Sequence, residues 1–119
     1  MHTNSQFIWG TKTYVMGVIN VTPDSFSGDG VKVSEALKKA ISFVDEGVDI
    51  IDVGGVSTRP PSLYGQVDEV EEEEEISRII PVISSLRKEL PVPISADTYR
   101  AEVASLAISE GAIMINDIW

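Results

Sequence analysis

The sequence contains no cysteine and a single histidine, His2. Without thiols it can build neither a disulfide framework nor a thiolate zinc site, and nothing argues for an oxidising compartment. Without a second histidine, a histidine-assisted nucleophile has no partner, and terminal His2 is assigned no role. Basic residues are scarce too: 9 lysines and arginines stand against 19 acids, a net charge of −10. A chain this acidic repels a phosphate backbone, so nucleic acid is not an expected partner. No apolar run approaches the ~20 residues of a membrane span. Met1 to Val15 hold neither an apolar signal core nor an arginine. The expectation is a soluble, cytoplasmic chain with no membrane partner.

What is present is enough for a packed core, since 43% of the 119 residues are hydrophobic and 24% charged. Tyr14 to Ile19, ending at Asn20, suits a buried strand, and Thr22-Pro23-Asp24-Ser25 breaks it. Leu37, Ala40, Ile41 and Val44 then fall at helical spacing, with Ser34 as expected N-cap and Gly47 just past the end. Val48 to Val53 reads as a second strand closed by Gly54 and Gly55. Asp68 and Glu71 have capping-box spacing before a helix whose apolar face is Ile76, Ile79, Ile80, Ile83 and Leu86, and Pro81 is expected to kink or split it. Val92 to Asp97 is a third strand, Arg100 to Ser109 a third helix, and Ala112 to Asn116 a fourth strand. Alternation at this spacing implies parallel strands. The stretches Glu46 to Asp52 and Glu110 to Asn116 also repeat one pattern, a helix-ending glycine before a strand that finishes on Asp or Asn. Both a (β/α)8 barrel and a doubly wound sheet accommodate that repeat.

Polar residues gather at the strand ends: Asn20; then Asp52, with Ser57, Thr58 and Arg59 beyond it; then Asp97; then Asn116. In parallel α/β folds the carboxyl ends of the strands form the ligand-binding face. Each residue also has a plainer use. Asn20 and Asn116 could cap turns or a following helix, Asp97 could be the N-cap of the third helix, and Arg59 could be a solvated surface cation. A carboxylate at the end of the run Ile94-Ser95-Ala96, however, is costly to desolvate without a donor, which a ligand could supply. The acids Asp68, Glu69 and Glu71 to Glu75 tempt a metal assignment but read better as a solvated face at a helix N-terminus.

The stretch from Met16 to Ser27, Met-Gly-Val-Ile-Asn-Val-Thr-Pro-Asp-Ser-Phe-Ser, resembles the first signature of the dihydropteroate synthase family. Asp52 to Pro60 resembles the second signature, and Ile94 to Tyr99 with Ile115 to Ile118 resembles the family's pterin-pocket segments. The resemblance implies an α/β fold, the N-terminal half of a (β/α)8 TIM-type barrel with about four parallel strands and three helices. On this reading residues 1–119 are a partial pterin-binding barrel domain, because a whole barrel needs about 250 residues. It implies an enzyme that joins p-aminobenzoate to a dihydropterin methyl diphosphate, giving dihydropteroate and pyrophosphate for folate synthesis, with Mg2+ assisting departure of the diphosphate. By the same resemblance Asn20 would contact the magnesium, Thr58 and Arg59 would help bind substrate, and Asp97 and Asn116 would hydrogen-bond the pterin.

Three residues depart from the family pattern: Val56 replaces its usual Glu, Pro61 its usual Gly, and Ala96 a larger aliphatic residue, which is expected to leave a gap in the barrel interior. The family's later aspartate, lysine and arginine-histidine phosphate site have no counterpart. The expectation is therefore that this chain alone is inactive, or that it pairs with a second copy as a homodimer that closes its sheet. A pterin-binding methyltransferase barrel is the rival reading of the Asp and Asn pair.

Overall fold

Each short β-branched run forms a strand, and each longer stretch of helical spacing between runs forms a helix. The computed structural model describes residues 10, 12–21, 31–55 and 72–116. In chain order the elements are β1 (Met16–Asn20), α1 (Val31–Asp45), β2 (Ile50–Gly54), α2 (Glu72–Glu89), β3 (Ile94–Asp97), α3 (Ala101–Glu110) and β4 (Met114–Asn116). The strands lie side by side in the order β1-β2-β3-β4, and every pairing is parallel. A doubly wound sheet reverses its strand order near the first strand, whereas a barrel wall adds strands consecutively. The consecutive order, with α2 packed between α1 and α3, is that of a barrel wall.

Strand alternation sorts the residues onto two faces. Gly17, Ile19, Ile51, Val53, Ile94 and Ala96 turn toward the helices and meet Ala36, Ala40, Ile79, Ile83, Leu86, Val103 and Ala107. Fully burying an isoleucine such as Ile19 or Ile83 stabilises by roughly 1.5–3 kcal/mol. Helix and sheet approach closely at glycines. A Cβ on Gly17 would lie 2.7 Å from the Phe43 ring, and one on Gly55 would lie 2.9 Å from Ile79 Cγ2.

Several expectations change. Ala96 pairs with Val53 and Ile115 and is fully buried on the helix side. It is not in the barrel interior, because its neighbour Asp97 takes that face. Ser34 is not an N-cap: α1 begins at Val31, as Val33 and the fully buried Ala36 extend its apolar stripe by a turn. Pro81 does not split α2, which runs unbroken from Glu72 to Glu89. Pro81 and Ser77, whose carbonyl loses its partner there, both lie on the exposed side. Gly47 and Gly111 end their helices as expected, with φ of +98° and +124°. The Asp68 and Glu71 capping box lies outside the described residues. The acidic run is also not uniform, since Glu72, Glu73 and Glu74 are exposed while Glu75 is fully buried.

Candidate functional site

The face of the sheet opposite the helices carries two rows set by strand register. The lower row is Val18, Asp52, Ser95 and Met114. The upper row, at the carboxyl ends of the strands, is Asn20, Gly54, Asp97 and Asn116. With neighbouring strands about 4.8 Å apart, Asp97 and Asn116 are adjacent, and Asn20 stands two strands from Asp97. Gly54 keeps the middle of the row open: a Cβ there would approach Asp97 Cβ to 3.2 Å and Oδ2 to 3.4 Å. Asn20 is exposed, while Asp97 and Asn116 are half-buried. The structure thus brings together three of the residues singled out in the sequence. Thr58 and Arg59, with Val56 and Pro61, lie outside the described residues.

Asp52 is the residue whose place the strand-end pattern understated. It is 2% exposed, and it accepts the Ser95 hydroxyl on Oδ1. Its Oδ2 accepts the Asn116 side-chain amide at 3.3 Å. Burial pushes its carboxyl above the ordinary value, against the opposing pull of those two donors. Ser95 went unnoticed in the sequence. The signal available was the shared period of two, Asp52-Val53-Gly54 beside Ser95-Ala96-Asp97, which becomes a cluster only once the parallel register is known.

Asp97 is not the cap of α3. That position belongs to Arg100, which makes no side-chain cap, while its backbone N–H donates to Thr98 Oγ1 at 3.2 Å. The Arg100 guanidinium instead donates from Nη1 to Glu75 Oε1 at 2.8 Å. Three residues along α2, Arg78 donates from Nη1 to the Gly55 carbonyl at 2.7 Å and from Nε to Glu74 at 3.0 Å. The first turns of α2 therefore hold both the segment leaving β2 and the segment leaving β3. At the opposite end of the sheet, Asp49 accepts the Val15 backbone N–H at 2.8 Å and Lys12 Nζ at 2.9 Å. That arrangement secures the start of β1, far from the upper row.

Among the described residues no group of three or more His, Cys, Asp or Glu is placed to hold a metal ion. Asn20 offers one neutral oxygen, and a hard cation bound there would take its remaining ligands from water and from anionic groups of a substrate, a coordination magnesium favours.

Comparison with known proteins places the chain in a family. The family model described as "Pterin binding enzyme" matches residues 16–119. The dihydropteroate synthase of Bacillus subtilis is 51% identical over 122 residues, covering 100% of this chain and 41% of its own length. That of Clostridium beijerinckii is 49% identical over 119 residues, covering 98% of this chain and 42% of its own length. A Clostridium difficile dihydropteroate synthase solved in the presence of pteroic acid superposes with a TM-score of 0.87 at 50% identity, over 95% of this chain and 42% of that one. A Xanthomonas albilineans dihydropteroate synthase solved with 4-aminobenzoic acid gives 0.81 at 43% identity, over 91% of this chain and 38% of that one. The chain spans less than half the length of the curated relatives it matches. The family match runs from the first residue of β1 across all four strand ends that carry the site, and the chain belongs to the pterin-binding enzyme family.

Proposed function

We propose that this chain supplies the pterin-holding wall of a dihydropteroate synthase, a transferase that joins p-aminobenzoate to dihydropterin methyl diphosphate in folate synthesis. The observation that carries the reading is the upper row, in which Asp97 and Asn116 stand on adjacent strand ends beside the gap left by Gly54. A pterin edge presents neighbouring amide and amino groups, which need acceptors and donors held rigidly. Relatives about half identical to this chain, named dihydropteroate synthase, support the synthase over a methyltransferase.

In this reading Asp97 and Asn116 orient the ring, so that the methylene carbon bearing the diphosphate faces the incoming arylamine. The amine nitrogen forms the new bond to that carbon, the carbon–oxygen bond to diphosphate breaks, and the amine gives up a proton. Asn20 would hold magnesium through its side-chain oxygen, and Thr58 and Arg59 would bind substrate oxygens. Magnesium, when bound, offsets the charge of the departing diphosphate. A cytoplasmic location, and a homodimer formed along the strand edges, belong to the same proposal.

Calorimetric titration of the purified chain with pteroic acid tests the pterin site. Binding that disappears in Asp97→Ala is the expected result. Unchanged binding in that variant would remove the pterin site from this face, and no binding by the folded chain would mean that the face needs groups beyond residues 1–119 to hold a pterin.

A further inference from the structure

Asn116 reaches the upper row from the short edge strand β4, whose residues are only half-buried. Its carboxamide could rotate freely, but Nδ2 donates to Asp52 Oδ2 at 3.3 Å. Asp52 in turn cannot swing, because its other oxygen is held by the Ser95 hydroxyl and its side chain is buried. The hydrogen-bonded chain from Ser95 through Asp52 to Asn116 therefore joins β3, β2 and β4 directly beneath the upper row. A carboxylate has only acceptors to offer at neutral pH. Only one orientation of the Asn116 amide satisfies it, with nitrogen toward Asp52 and Oδ1 turned away.

We infer that Asp52 is a positioning residue, which fixes the Asn116 carboxamide so that its oxygen stands beside the Asp97 carboxylate as a second acceptor on the binding face. The inference rests on the pterin reading of that face and deepens it. Two adjacent acceptors select a heterocycle edge that carries neighbouring N–H donors, and they disfavour an edge that presents acceptors there, because apposed acceptors are left without protons.

Asp52→Asn is the informative change because it keeps the shape. The new carboxamide oxygen can still accept the Ser95 hydroxyl, but its NH2 then meets the NH2 of Asn116. Two donors cannot bond, so the Asn116 amide turns over or loses its anchor. Binding of pteroic acid should weaken about tenfold where Asn116 is present and no more than about twofold in an Asn116→Ala background, the signature of coupled residues. A merely structural role would cost the same in both backgrounds, and that result would overturn the inference.

A ligand-free readout accompanies the titration. The Asn116 side-chain amide protons, followed by nuclear magnetic resonance, should exchange with solvent more slowly in the parent chain than in Asp52→Asn. Ser95→Ala, which only loosens the anchor of Asp52, should accelerate that exchange if Asp52→Asn does not fold. Exchange indifferent to both substitutions would also overturn the inference. Failure of the pterin reading itself is distinguishable: pteroic acid would bind independently of Asp97, while the amide exchange still decides whether Asp52 holds Asn116.

Discussion

At the scale of single residues, Glu75 is a fully buried carboxylate whose Oε1 accepts from the Arg100 guanidinium at 2.8 Å. Removing one member of such a pair leaves a charge in a medium that solvates it poorly. Arg100→Ala is expected to destabilise by about 3–5 kcal/mol in urea denaturation, far more than the exposed Lys12→Ala; equal small losses would mean that water reaches Glu75. The two shifted aspartates should leave opposite marks on stability against pH. Asp49 is held below its ordinary value of 3.8, chiefly by the Val15 backbone N–H and then by Lys12. Its contribution is full above pH 3.8 and is lost as pH falls through its lowered value. Asp52 is raised above 3.8, chiefly by burial, so its charged form weighs against folding more as pH climbs from 3.8 through that raised value. Midpoints measured across that range should show Asp49→Asn losing the acid-side dependence, and Asp52→Asn faring progressively better relative to the parent chain as pH rises. Parallel profiles for all three proteins would contradict both assignments.

At the scale of elements, α2 tolerates Pro81 because the break in hydrogen bonding falls on the solvent side, while Ile79, Val82, Ile83 and Leu86 stay buried. An exposed proline inside a helix costs up to about 3 kcal/mol relative to alanine, offset by about 1 kcal/mol through the stiffer unfolded chain. Pro81→Ala should therefore raise the urea midpoint by an amount worth about 1–3 kcal/mol, and a lowered midpoint would show that the ring makes packing contacts of its own. The same helix shows what a sequence can and cannot disclose. Its apolar spacing, the glycines at 47 and 111, and the four short strands were legible because each depends on neighbours a few positions away. The burial of Glu75 was legible only in part: helical spacing from Ile79, Val82 and Ile83 puts it on the buried stripe, but the cation that lets a carboxylate sit there lies 25 positions along the chain. The face of Ala96 was not legible, because its run is apolar and only pairing with Val53 and Ile115 decides it. Asn20, Asp97 and Asn116 could be read as strand ends, whereas the Ser95-Asp52-Asn116 chain needed the register.

At the scale of the whole molecule, two features oppose each other. Among the described residues β1 and β4 are the sheet's edges, and the face away from the helices leaves Met16 and Val18 38% and 45% exposed. Leu106 and Ile108 on α3 are 38% and 48% exposed. Unpaired strand edges beside exposed apolar side chains favour association with another copy. Against this stands the net charge of −10, which makes two copies repel at low ionic strength. Salt reduces the range of that repulsion from about 30 Å at 0.01 M to about 8 Å at 0.15 M while leaving the apolar contact intact. Sedimentation should therefore find monomers at low salt and association that grows with both protein concentration and salt, the reverse of a contact built on ion pairs. Val18→Lys, which places a charge on the exposed row of the edge strand, should suppress it. A chain that remains monomeric at every salt concentration would show that these edges are protected, and the homodimer would fall with that result while the pterin face would not.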